Sequence, residues 1–586
     1  MRYPTISEIY TSREMLDVFK GYNHNLRIAN GEFYEMTNLS SDHFPILSPR
    51  RPRGIFSSVG SPKSMIAKDC LCYINGSDFV KTDENGEPQT FPLDLSDDGK
   101  PKSIVSFGAY AIILPDKKYI NTAMPSDRGP IEASITTSQK VRFTICRENG
   151  QEYEGVKSQG HAPENPKNLD LWYDISDSSR CLKQYSALTD TWVPITKTYV
   201  KLSSETENIG TPFSVNDGIV ISNIQNGVLT NYRGSFKAVI LDKGDKYIVF
   251  EGTPIYLTEQ VSPITIDRKI PQMDFIIESG NRLWGCRYDT TENGGIINEI
   301  YASKLGDFKN WTFFAGISTD SYAATVGTDG PFTGAISHRG QPIFFKENYM
   351  HKVYGNFPAN FQIQTTACKG VQEGCSRSLA IVNEILYYKS RTGICAYDGS
   401  VPEEISRAFG NTEYMGAVGG MLGNKYYISM LDTNGDYHLF VYDTEKGLWH
   451  REDGTQALEF CNFKGDLYYI DHASEQIKTV GGTGTKEIEP VKWSATTGII
   501  GTDSPDKKYI SRMDVRMKLD VGARVAFYAE YDSSGDFECL FTKIGKNLQS
   551  FSVPIRTRRC DHMRLRIIGT GDVKIFSICK TIELGG

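Results

Sequence analysis

Nine histidines, twelve cysteines and many carboxylates could ligate a metal, attack a carbonyl or move a proton, provided the chain spaces them suitably. The spacing does not do so locally. Histidines run singly from His24 to His562, and no cysteine pair has the two-residue gap of a zinc knuckle or redox motif. Cys70 and Cys72 lie two apart on one expected strand, and Cys368 and Cys375 lack histidines at zinc spacing. The thiols read as reduced, buried, small hydrophobes. There is no Gly-x-Ser-x-Gly elbow, His-Glu-x-x-His pair or P-loop, and Gly481–Lys486 (GGTGTK) is too short for a phosphate cradle and reads as a linker. No catalytic, cofactor or metal residue stands out, and the expectation is a chain that is not an enzyme; a carboxylate pair of glycosidase type leaves no sequence mark either way.

Two basic groups remain. Arg50, Arg51 and Arg53 lie in a proline-bounded segment that should stay extended and mostly exposed, and Arg556, Arg558, Arg559, Arg564 and Arg566 fall on adjacent C-terminal stretches. A solvated face neutralised by Asp561, a docking surface for an acidic neighbouring subunit, and contact with DNA are the three readings; docking is the functional one.

The elements that must position these residues are strands. Aromatic residues make up 11% of the chain, and 54 glycines and 25 prolines are scattered as turn punctuation. Asn75-Gly76 between apolar runs signals a hairpin. From residue 270 onward, strand pairs such as FIIESGNRLWGCRY and EIYASKLGDFKNWTFF recur at about the 40-residue period of a four-stranded blade. The predicted fold is all-β: a propeller of six to eight blades with inserted small β-domains and a C-terminal β-sandwich. Its expected parts are an N-terminal arm with one helical turn (1–20), a first propeller part (21–130), two inserts (131–200 and 201–265), a second propeller part (266–485) and the sandwich (486–586).

Composition narrows the function classes. A net charge of -7 supplies no general polycation for nucleic acid or anionic membranes. No stretch approaches the roughly 20 apolar residues of a membrane span, and the first residues lack a signal-peptide core, so folding in a cytoplasm is expected.

Ser303–Trp311 (SKLGDFKNW) resembles the Asp-box turn of sialidase-like propellers, with Leu305 where the eponymous aspartate would sit. Tyr442–Trp449 (YDTEKGLW) resembles the strand-turn-strand of kelch-type blades. Trp284, Trp311 and Trp449 are accordingly assigned to holding blades together. The opening GYNHNLRIANGEFYEMTNLSSDHFPILSPRRPRG, the blocks NRLWGCRY, ASKLGDFKNW, SRTGICAYDGS and KKYISRMDVRM, and the closing PIRTRRCDHMRLRIIGTG are similar to neck and tail structural proteins of tailed phages and prophages. That resemblance implies a propeller of the podophage nozzle type, present as a ring of copies in the virion tail or neck. Its implied partners are portal, adaptor or other tail subunits, with genomic DNA passing through and no membrane insertion. The alternatives are a tail-tip glycan-binding protein, with Tyr349, Tyr387, Tyr397 or Tyr437 stacking on sugars, and a propeller glycosidase.

Overall fold

A computed structural model describes residues 11–584, except 84, 85, 98, 100, 177–180, 226–233, 253–258, 262, 503–505, 546, 556 and 557. The described residues form strands joined by turns, with three short 3-10 turns and no helix long and apolar enough to cross a membrane.

Among the described residues, seven antiparallel blades surround one axis: six of four strands, over residues 62–92, 103–130, 275–325, 334–367, 380–404 and 414–451, and a seventh over 457–479 that is completed to five strands from elsewhere in the chain. The hairpins form where the sequence supplies turn chemistry. In the first blade Asn75 pairs with Asp78 around Gly76, whose φ of +59° suits a residue without a side chain. Middle strands are apolar on both faces because each blade is packed on both sides. Lys425–Asp432 (KYYISMLD) and Asp466–Asp471 (DLYYID) are buried almost throughout. Neighbouring blades interlock through aromatic contacts such as Phe345 with Tyr388, with ring centroids 5.1 Å apart, and Phe460 from the last blade meets Gly420 of the sixth, where a Cβ would clash at 2.4 Å.

The ring closes by exchange of chain. Gly54–Ser58, from before the first blade, pairs antiparallel with Gln476–Thr479 as the fourth strand of the seventh blade, and Thr485–Lys486 pairs on its far side. Gly54 is dictated by close approach: a Cβ there would lie 2.0 Å from the Thr483 carbonyl oxygen.

The sandwich also draws on both ends of the chain. Thr11–Leu16 pairs with Val573–Leu584, and Glu32–Thr37 pairs with Lys492–Thr497. Hence the expected N-terminal arm with a helical turn is instead a strand over residues 11–16, and residues 21–37 belong to the sandwich and not to the propeller. Ser12, whose hydroxyl could cap a helical turn, sits instead in the ladder opposite Ile582. The long strand Lys508–Leu519 alternates buried and exposed positions, as one face of a sandwich requires. Sandwich and propeller share one core, in which Tyr22 packs on Phe409 and Phe440.

Residues 133–268 leave the propeller between the second and third blades. They form one eight-stranded sheet around a core of its own residues, among them Phe143, Leu202, Ile221 and Phe250. A four-stranded sheet over residues 157–194 is nested inside this module. The expected boundary between two inserts at 200/201 therefore cuts a single strand, Tyr199–Ser204, whose partners lie on both sides of it in sequence. Sequence-local rhythm cannot reveal pairing between strands separated by a nested unit.

Candidate functional site: the axial cavity and the arginine clasp

The first strands of the blades face the axis and leave a cavity of about 620 Å³. Ionisable groups reach it from four blades and their connections. Arg377, on the turn Ser376–Ser378, donates to the carbonyls of Leu458 (2.8 Å) and Lys102 (2.7 Å), tying the fifth blade to the seventh and to the strand leading into the second. Lys102 donates to Asp116 Oδ2 (2.7 Å) and Ser96 Oγ (2.6 Å). Glu459 Oε2, on the seventh blade, accepts from Ser64 Oγ (2.6 Å) and the Met65 N–H (2.7 Å) on the first, which seals the ring's seam from inside.

Asp274 also lines the cavity. Burial pushes its carboxyl up from the usual range although the Tyr288 N–H, 2.8 Å away, and Arg287 favour the charged form. Half-buried Phe275 and Phe460 add apolar surface. A carboxyl whose ionisation burial opposes, a second carboxylate and two partly open aromatic rings in one concavity are groups that can bind a polar, ring-shaped ligand.

The first basic group takes a different place from the one its sequence suggested. Only Arg51 is exposed; the Arg53 side chain is 2% accessible and Arg50 8%. Arg53 donates to Glu452 (2.5 Å) and Asp453 (3.4 Å), and Arg50 pairs with Asp453 (3.2 Å) and Glu487 (3.3 Å). Lys425 and Arg51 share Asp42 at 2.5 and 3.5 Å. Burial opposes ionisation of Asp453, yet Arg53 and Arg50 hold its carboxyl down at about 2; Glu452, deeper and facing one arginine closely, is pushed up by burial. Asp42, Arg50, Arg51, Arg53, Lys425 and Glu452 line a second cavity of about 440 Å³. They clasp the segment entering the closing strand onto the sixth blade, so Arg50 and Arg53 are corrected from exposed docking residues to internal anchors. The signal missed in the sequence was Glu452-Asp453, a buried acidic pair about 400 positions away.

Of the C-terminal arginines, Arg556 lies outside the described residues. Arg558 is exposed, pairs with Glu538 (3.0 Å) and lies over the Tyr531 ring, and Arg559 is exposed. Arg564 stacks on Tyr34, and Arg566 stacks on Phe537 while bonding Thr496 (3.0 Å) and approaching Glu35 (3.5 Å). Asp561, expected to neutralise them, pairs instead with His562. The basic groups are thus not one surface.

The tryptophans are buried with their indole N–H groups bonded: Trp284 to Ser279 O, Trp311 to Phe308 O and Trp449 to Ile405 O. Trp449 packs between Phe409 and Tyr442. Tyr387 and Tyr397, candidates for stacking on sugars, are buried in the core and cannot do so; Tyr349 and Tyr437 are half-buried.

No protein family matches the chain, and no curated protein does. Among solved structures it is similar to an exo-β-1,3-galactanase of Phanerochaete chrysosporium crystallised with galactose, at 9% identity over 52% of this chain and 94% of that one, with a TM-score of 0.21. It is similar also to PorZ of Porphyromonas gingivalis, a surface component of the type-IX secretion system (10%, 88% and 82%, TM-score 0.25), and to Sqt1 of Saccharomyces cerevisiae (10%, 72% and 96%, TM-score 0.30). At these scores no activity or residue transfers. Glycoside hydrolases stand among these similar structures, against the expectation of a chain that is not an enzyme, but at TM-scores of 0.20–0.21 they establish no activity. That expectation rested on missing local motifs, and carboxylates contributed by separate blades form none.

Proposed function

We propose that this chain is a structural subunit of the neck or tail of a tailed phage, present as a ring of copies beside portal, adaptor or other tail subunits, with DNA passing through the ring. The observation that carries this reading is the double closure. The fourth strand of the seventh blade comes from before the first, and early and late strands of the chain pair within the sandwich, Thr11 opposite Glu583. Propeller and sandwich are each closed by strands from distant parts of the chain, which is what a subunit bearing axial load needs. The blocks similar to phage tail proteins and the acidic balance, over which phosphates slide without sticking, support the same reading. Cryo-electron microscopy of virions with this chain located tests it. A ring at the portal-proximal or nozzle position is expected; particles lacking the chain, or carrying it as a single copy, would overturn the proposal.

A second reading, cleavage of a wall or surface glycan in the axial cavity, is favoured by one observation: the burial-raised Asp274 carboxyl shares that cavity with Glu459 and two half-open aromatics. Sugar release from purified wall polysaccharide, abolished by Asp274→Asn, is its expected signature, and no release by the unmodified chain removes it.

A further inference from the structure

Cys70 and Cys72 meet where a turn enters a strand. The strand begins at Leu71, and Cys70 is the last residue of the tight turn Lys68-Asp69-Cys70, in which the Lys68 N–H donates to the Cys70 carbonyl at 2.9 Å. The turn sets Cys70 beside Cys72, and the two sulfurs lie 3.5 Å apart. Both are free thiols. We propose that Cys70 and Cys72 are a redox-active dithiol that hydrogen peroxide converts to an intrachain disulfide.

The two sulfurs are unequal in the way such a pair requires. Cys70 is 8% accessible and Cys72 fully enclosed, so a small oxidant meets Cys70 first. The hydrogen bond with Cys72 brings the Cys70 thiol down to about 7, with Lys81 and Lys68 adding to the effect against burial, while the same bond and burial push Cys72 up. The Cys70 thiolate attacks one peroxide oxygen, the O–O bond breaks, and a sulfenic acid and hydroxide form; the hydroxide takes up the proton Cys70 had released, giving water. Cys72 then attacks the Cys70 sulfur, the S–O bond breaks, and the leaving hydroxide takes the Cys72 proton as a second water. Two thiols and one peroxide give one disulfide and two waters. Closing the gap to the roughly 2.05 Å of a disulfide needs movement of the turn. The ladder need not break, because Cys72 keeps its partners Ile66 and Lys81 while Cys70 stands outside the strand.

The test treats the folded full-length chain with hydrogen peroxide, quenches it, alkylates in denaturant and digests with trypsin, which leaves both cysteines in the fragment 69–81. The fragment is expected unalkylated and about 2 Da lighter than the dithiol, and a reductant should restore it. In Cys72→Ser the sulfenic acid on Cys70 should persist long enough for dimedone to trap it, and in Cys70→Ser the Cys72 thiol should stay unreacted. A fragment 69–81 that remains doubly alkylated once exposed Cys539 is oxidised, or that carries sulfinic acid in place of the disulfide, would overturn the proposal.

Discussion

Single side chains here act mainly by what they leave behind when removed. Arg53→Ala would strand Glu452 in a site from which water is excluded, and a broken buried ion pair costs about 3–5 kcal/mol. Urea unfolding should show a loss of that size, whereas Arg51→Ala, at an exposed pair, should change stability by less than about 1 kcal/mol. His351 makes a second residue-scale prediction. Burial, with Lys346 nearby, brings its imidazole down to about 4 from an ordinary 6.5, so the folded chain holds it neutral while the unfolded chain protonates it. Its contribution is complete above pH 6.5 and is lost as pH falls toward 4, on the order of 3 kcal/mol in all. His351→Gln should flatten the stability profile across that window; an unchanged slope would show that the ring is solvated.

At the scale of elements the closing strand decides the propeller. Seven blades without Gly54–Ser58 would leave the last sheet one strand short and its edge open. Gly54→Val pushes a branched side chain into the Thr483 carbonyl and the Thr479 hydroxyl. Overpacking of this kind costs about 1–3 kcal/mol, and limited proteolysis should cut first in residues 457–486. The middle strands behave differently from the sandwich strands. Buried on both faces, Asp466–Asp471 should be among the slowest segments to exchange amide hydrogens, while the edge strand Glu538–Ile544, half-exposed throughout, should be among the fastest.

For the whole molecule, the inserted module is joined through adjacent strands. Ala133 lies opposite Arg268 in the ladder, so the chain leaves and re-enters the propeller at neighbouring points. Replacing residues 133–268 with a short glycine linker should leave a cooperatively folding propeller, because the module's core contains only its own residues. The excision does remove the contact of Asn310 with Asp217 and Gly218, so a modest fall in melting temperature is expected. Removing residues 1–40 should have the opposite outcome: strands Thr11–Leu16 and Glu32–Thr37 leave both sheets of the sandwich, and loss of cooperative unfolding is expected by calorimetry.

Strand period, turn residues and aromatic spacing were enough to establish an all-β chain with propeller blades and a C-terminal sandwich, because those properties are local: a hairpin such as Asn75–Asp78 is specified within a few residues. Pairing at long range was decided only by the tertiary structure. Nothing near Thr11 announces a partner at Glu583, nothing near Arg53 announces Glu452, and the gathering of Asp274 and Glu459 at one axis depends on ring closure. Burial of a charge is likewise not a property of its neighbours in sequence. Arg51 and Arg53 stand two residues apart in the same extended segment, one in water and one enclosed, because Glu452, Asp453 and the Tyr469 ring gather around Arg53 while Arg51 reaches out to Asp42.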